Sequence, residues 1–281
     1  MQNQAVEIID RQHFQDSYHF LAPSADLADY VICYWLLDMR EPGFRQTSYN
    51  EVLLANMYSS LVINLGNPFE LYNTNGQLLH SCNKSLLIGY HAATVSYRHL
   101  YSNYLVGVKF KPGALNYLFG VKGADMIKQA IPAGHVIDHI TSTESRLYDA
   151  GNLPAMKVVL EQLIRHYLRK AYPDKPFDFV RRSFQEPVLV QAKYQLRKLA
   201  SLLYLTPRTL ERYFAQSLDI APKKCMKILR FRHALDAYLK EGYKADWELL
   251  GYHDFSHFCK EWHELADGAP GMPVRPSGLA G

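Results

Sequence analysis

The stretch LRKLASLLYLTPRTLERYF, residues 196–214, leaves the chain few ways to fold. Leu196, Leu199, Ala200 and Leu203 recur at helical spacing, which predicts a short helix with one apolar face. Thr206 can accept from the free N–H groups of the turn that follows, and Pro207 suits a first helical position because its missing N–H would be unpaired there. A second helix therefore starts at Pro207, with Leu210, Tyr213 and Phe214 inward and Arg208, Thr209, Glu211 and Arg212 outward or at the border. Two short helices across a tight turn, the second cationic on its outer side, are the form that lays a helix in the DNA major groove. On these residues alone, a helical hairpin inside an all-helical core is the alternative.

The residues that follow narrow the choice. Ala221-Pro222-Lys223 opens a longer helix, in which Arg230, Ala234, Leu235 and Leu239 recur at helical spacing. LGYHDFSHFCKEW comes next, with Phe258 and Trp262 four apart after a Gly-Tyr turn. In these three motifs, taken in order, residues 190–270 resemble the arabinose-regulator (AraC) family of bacterial transcription factors. The module of that family is two helix-turn-helix units joined by one long helix. The resemblance implies that Arg208, Glu211 and Arg212 face base edges, arginine being suited to this because its planar fork meets both acceptors of guanine. It makes Lys193, Arg197, Lys223 and Lys224 phosphate contacts, with Thr206 a phosphate donor as well as a cap. In the second unit, Phe255, Ser256 and Lys260 take the base-facing positions and His257 stands beside them.

Two departures from the family pattern carry expectations of their own. Tyr204 replaces the usual turn glycine, and a tyrosine held at positive φ costs on the order of 1 kcal/mol. In the second unit the first helix, ADWELLGY, is a residue short, and Trp247 or Glu248 stands where a small alanine belongs. A tryptophan at a helix crossing forces the pair apart or tilts it. The tail GAPGMPVRPSGLAG is a shortened version of the family's closing motif. The second unit is therefore expected to be a weak or non-reading half.

Charge supports the assignment once it is divided along the chain. The net charge is +4, but residues 1–191 balance at 17 basic against 17 acidic. Residues 192–232 hold ten basic and two acidic side chains, and residues 233–281 hold four basic and eight acidic. The attraction to phosphate is thus concentrated in the first unit and the start of the joining helix. Four scattered cysteines without a C-x-x-C pair argue against a structural zinc site or a disulfide framework. The opening MQNQAVEIIDRQ lacks the layout of a signal peptide, and no apolar run approaches a membrane span, so a cytoplasmic protein is expected.

The N-terminal part reads as all-β. Residues 30–38, 60–66, 68–73, 86–90, 94–100 and 104–111 are short, rich in β-branched and aromatic residues, and separated by turn signals such as NTNG and YSN. In the resembled family this sensor is commonly a cupin-like barrel, and GVKFKPGALNYLFG looks like the closing strand of one subgroup, where an F-x-P-G turn leads into a helix. His80, His91 and His99 lack the spacing of a metal-binding cupin, and no G-x-S-x-G or phosphate loop is present, so neither enzyme chemistry nor a metal or other cofactor is expected. Tyr34, Trp35, Asn64, Tyr97, Arg98 and His99 are the candidates for lining a ligand site, with Tyr97 and His99 on one face of their strand and Arg98 on the other.

Residues 123–152 are interrupted by Gly123, Pro132, Gly134 and Gly151. A helix follows with Leu153, Met156, Leu160, Leu163, Ile164, Tyr167 and Leu168 as its stripe, to dock on the barrel or pair two protomers. The proline-rich YPDKPFDFVRRSFQEP reads as a hinge. The expected fold class is α+β: a cupin-like β-barrel sensor over residues 1–122, a helical connector over 123–187, and a tandem helix-turn-helix domain over 188–281. Its partners would be double-stranded DNA and, by the resemblance, a small-molecule effector, RNA polymerase and a second copy of the chain. A barrel enzyme positioned on DNA, or an interaction module that has lost DNA binding, are the alternative readings.

Overall fold

The computed structural model describes residues 17–40, 49–73, 75–122, 130–186 and 196–266. Its strands are β1 (Tyr18–Leu21), β2 (Val31–Asp38), β3 (Tyr49–Leu53), β4 (Ser59–Asn64), β5 (Phe69–Asn73), β6 (Leu78–Cys82), β7 (Leu86–Ile88), β8 (Val95–His99), β9 (Tyr104–Phe110) and β10 (Ile131–Pro132). Its helices are α1 (Ala114–Phe119), α2 (Ile140–Ala150), α3 (Leu153–Lys170), α4 (Lys175–Ser183), α5 (Leu196–Leu202), α6 (Pro207–Leu218), α7 (Pro222–Glu241) and α8 (Phe255–Leu265). An antiparallel sheet domain is followed by a helical domain, and the fold class is α+β.

The strands form a six-stranded sheet, β1-β2-β9-β4-β7-β10, and a four-stranded sheet, β3-β8-β5-β6. β9 explains the layering. Its Val106, Val108 and Phe110 are buried beneath helices, while Leu105 faces the second sheet, the alternation a strand covered on both sides requires. Between the sheets lie Leu37, Val62, Phe69, Leu71, Ile88, Tyr97 and Leu105. Gly107 is fixed by a neighbour. A Cβ there would stand 2.4 Å from the Trp35 ring, so the absent side chain is what lets that indole lie across β9.

The helix stripe expected from residue 153 onward is α3. Leu153, Met156, Leu160, Ile164 and Tyr167 are buried against the chain's own six-stranded sheet, so that stripe is already covered and does not present itself to a second protomer. Glu161 ties the helix to the β1–β2 connection by accepting from the backbone N–H and the hydroxyl of Ser24, at 2.9 and 2.8 Å.

Three local expectations are corrected. Residues 140–150, read as interrupted, form α2, bounded by His139 and Gly151 in left-handed conformations. The proline-rich segment holds a helix and not an open hinge. In α4 the Asp174 carboxylate accepts from Phe177 N–H at 2.9 Å, and Pro176 sits in the first turn where it costs nothing. Phe177 stacks on Tyr117 at 4.3 Å between ring centroids while Phe179 stacks on Tyr213 at 5.5 Å, so α4 packs on both domains. Leu239 is half exposed on α7 and not part of its inner stripe.

The core of the helical domain takes in three residues of the sheet domain. Leu54, Ala55 and Met57, from the β3–β4 connection, are buried in the same cluster as Leu210, Phe214, Phe231 and Phe258 of the helical domain. Thr94, just before β8, donates its hydroxyl to the carbonyl of Leu265 at 3.2 Å.

Candidate nucleic-acid interface and inter-sheet cavity

The first helix-turn-helix is built as its residues dictate. Leu196, Leu199 and Ala200 of α5 are buried, and Leu203 closes the turn from inside. Tyr204 adopts φ 55° and its side chain is 93% exposed, so the turn takes the left-handed conformation that glycine would fill without cost. Thr206 then caps α6, its hydroxyl accepting from Thr209 N–H at 3.2 Å and lying 2.9 Å from the Thr209 hydroxyl. Leu210, Tyr213, Phe214 and Leu218 are buried, which turns Arg208, Glu211, Arg212, Ala215 and Gln216 to solvent along one edge. The Arg212 guanidinium lies 5.5 Å from the Tyr213 ring centroid.

Around this edge, Arg197, Lys198, Lys223 and Lys224 are all exposed, and Thr209 is half-buried at the helix start. Lys193 lies outside the described residues. Lys227 and Arg230 leave the cationic count, because they pair with Glu264 and Glu261. The Arg230 pair is buried. Tyr252 donates to the other Glu261 oxygen at 2.7 Å, and its ring lies 4.7 Å from the Arg230 guanidinium. This arrangement joins α7, α8 and the Gly251-Tyr252 turn, and a buried charge needs such partners.

The second unit differs from the first. Where a first helix was expected, residues 242–244 make a short 3-10 turn and residues 247–251 a single turn, in which the Asp246 carboxylate accepts from Leu249 N–H at 2.9 Å and its carbonyl from Leu250 N–H at 3.1 Å. Trp247 is buried, stacked on Phe258 at 4.8 Å, and donates its indole N–H to the Tyr243 carbonyl at 2.8 Å. Phe255 packs 5.3 Å from Trp247 and 5.9 Å from Tyr238, so it belongs to the core and not to a base-facing edge. Ser256, His257 and Lys260 are exposed on α8. Asp254 caps that helix, accepting from His257 N–H at 2.8 Å, and this bond holds its carboxyl below the usual range. The C-terminal tail lies outside the described residues.

A cavity of about 100 Å³ lies between the two sheets and opens toward solvent. Of the residues proposed to line a ligand site, Trp35, Tyr97 and His99 do so. The other three are placed elsewhere. Tyr34, one residue from Trp35, points to the opposite face, fully buried under α3. Asn64 holds the end of β4, donating to the Cys82 carbonyl at 2.9 Å and accepting from Gly66 N–H at 3.0 Å. Arg98 is on the outer face of β8, 3.7 Å from Glu70.

The cavity also contains polar residues that sequence patterns did not flag: Glu51, Asn56, Ser60, His91 and Lys109. Glu51 is 8% exposed, and its Oε2 accepts from the Tyr18 hydroxyl at 2.6 Å and from His99 Nε2 at 2.8 Å. His91 is held neutral, its pKa pushed down to about 4 by burial first and by the Lys109 charge second. Ser60 and Lys109 are direct cross-strand partners, with the Lys109 ammonium 5.5 Å from the Tyr58 ring centroid. The one available clue was alternation, which puts Lys109 on the same face of β9 as Leu105.

Among the described residues, no group of three His, Cys, Asp or Glu side chains is placed to hold a metal ion, and no helix is long and apolar enough to cross a membrane. A family model described as a domain of unknown function (DUF6597) matches residues 19–132, the span of the two sheets. No curated protein matches the chain. Among solved structures the chain is similar to ToxT from Vibrio cholerae at 1.65 Å resolution, with 12% identity over 93% of this chain and 97% of that one and a TM-score of 0.45. It is similar also to an unsaturated fatty acid bound ToxT from Vibrio cholerae strain SCE256, at 11% identity over 93% and 94% with a TM-score of 0.41. The AraC-like transcriptional activator CuxR shares 11% identity over 82% of this chain and 90% of its own, with a TM-score of 0.25.

Proposed function

We propose that this chain is a sequence-specific, DNA-binding transcription regulator of the arabinose-regulator type, with a sensor over residues 1–122, a helical connector over 123–187 and a DNA-binding domain over 188–281. The observation that carries the reading is the exposed edge of α6, where Arg208, Glu211 and Arg212 project from a capped helix beside four exposed cations, ahead of the long α7. In this reading the two arginines reach guanine acceptors, Glu211 accepts from cytosine, and Thr206, Thr209, Arg197, Lys223 and Lys224 hold the backbone. Ser256, His257 and Lys260 make the lesser contribution of a second half. The protein acts in the cytoplasm without catalysing a reaction. Two copies would set two α6 helices on half-sites separated by turns of the duplex, next to RNA polymerase.

The sensor binds a small-molecule effector between its sheets, where Trp35, Tyr97 and His99 meet. Binding is transmitted along residues 51–58, whose side chains alternate between two surroundings. Glu51, Leu53, Asn56 and Tyr58 line the cavity, while Leu54, Ala55 and Met57 sit in the helical core.

Sequencing the genomic fragments retained by the purified protein gives the target, and a gel shift on it at low and moderate salt tests the interface. Arg212→Ala is expected to weaken binding roughly ten-fold, as loss of one forked guanine contact of about 1–3 kcal/mol requires. Lys260→Ala should cost several-fold less. Equal losses would count against the division of labour, and binding insensitive to salt would count against the whole assignment.

A further inference from the structure

We infer that the inter-sheet cavity is built for a single-ring molecule carrying an amino group, protonated at neutral pH, with Glu51 as its counter-ion. The inference rests on the effector reading above and gives it a chemical class.

One carboxylate oxygen sets the chemistry of the cavity. The Tyr18 hydroxyl and His99 Nε2 both donate to Oε2 of Glu51. Among the described residues no further bond reaches Oε1, although the residue is 8% exposed and lines the cavity. An ionised carboxylate only accepts, so whatever fills that position must supply an N–H or O–H donor. A charged donor makes the stronger and shorter bond. Another carboxylate at that oxygen would meet a like charge at close range.

The walls favour the same choice. Tyr97 and His99 stack at 6.4 Å between ring centroids, Phe69 stacks on both at 5.8 and 6.2 Å, and Tyr18 lies 6.3 Å from Trp35. Glu51 therefore sits in a cavity lined by aromatic rings, and a ring face turned to the occupant attracts a cation. Trp35 supplies the floor. It lies across β9 only because residue 107 has no side chain, which gives a flat surface for a ring to stack on. The volume of about 100 Å³ limits the occupant to about one ring. An apolar cavity of about 150 Å³ takes benzene, so here one ring fills the closed part and its substituents extend toward the open mouth. Lys109 and neutral His91 line the cavity as well, alongside Ser60, the partner of Lys109 on β4.

The test uses the full chain and three isosteric probes: phenethylamine, 2-phenylethanol and phenylacetate. Titration calorimetry at neutral pH is expected to show the amine binding at least ten-fold more tightly than the alcohol, with the acid weakest. Glu51→Gln should cost the amine ten-fold or more while leaving the alcohol within about two-fold. If the acid or the alcohol binds as well as the amine, the cavity is a ligand site but the assignment of its chemistry is overturned. If none of the three binds at millimolar concentration, the inference fails, while the effector reading is decided separately by whether any ligand of the cavity alters DNA binding. Should Glu51→Gln fail to fold, the ranking of the three probes on the unaltered protein decides by itself.

Discussion

At the scale of single residues, Tyr204 shows how the chain departs from the easiest solution and what that costs. Its φ of 55° puts a β-carbon in the left-handed region, where an L-residue is disfavoured by roughly 1–2 kcal/mol. With 93% of the side chain exposed, little packing compensates within this chain. Tyr204→Gly relieves that strain but frees the unfolded chain, so the net gain should be about 1 kcal/mol, raising Tm by about 2–4 °C. A lowered melting temperature would mean that the ring has a contact that outweighs the strain. Tyr204 was legible as a strained turn from the motif alone, because turn geometry is local. Glu51 was not. Its partner His99 is 48 residues away, and no local pattern reports a pairing that only sheet register creates.

At the scale of elements, local rules read α5 and α6 correctly because one apolar side and one cap settle each of them. They fail at residues 172–186, where proline reads as a breaker although Pro176 sits in the first turn of α4 behind the Asp174 cap. The short strands β1, β3, β6 and β10 were overlooked for a similar reason. Their polar and exposed positions, as in the largely exposed LLHSC of β6, blur the alternation that signals a strand. Phe255 was assigned to the outer edge of α8 by position, and tertiary packing decided otherwise, since Trp247 offers it a ring to bury against. What holds α8 in place is the buried pair of Arg230 and Glu261 with the Tyr252 hydroxyl. Removing one partner leaves the other charge buried and uncompensated, so Glu261→Leu should destabilise the helical domain by about 3–5 kcal/mol. Replacing all three groups with apolar residues should cost much less. Urea melts followed by tryptophan fluorescence would compare the two, and equal costs would show that the charge pair itself matters little.

At the scale of the whole molecule, the expectation of two domains separated by a hinge gives way to two domains joined by a buried seam of Leu54, Ala55 and Met57. Met57, 1% exposed, lies in that seam one residue from Tyr58, which lines the cavity. Met57→Ala should cost about 2–5 kcal/mol, as other truncations of buried large side chains do. Its more telling effect should be on coupling. Once a ligand of the cavity is in hand, the ratio of DNA affinities with and without it should fall toward one in Met57→Ala, while the ligand's own affinity changes little. A ratio equal to that of the unaltered protein would place the transmission elsewhere.

The buried seam has a practical consequence for anyone dissecting the chain. Cutting between residues 186 and 196 would strip Leu54, Ala55 and Met57 from one fragment's side of the seam and expose part of the helical cluster on the other. Each half would carry a raw apolar scar where the intact molecule has interior, and such patches drive aggregation. Poor solubility of the isolated halves would then reflect the position of the cut and carry no information about whether either half is competent to bind.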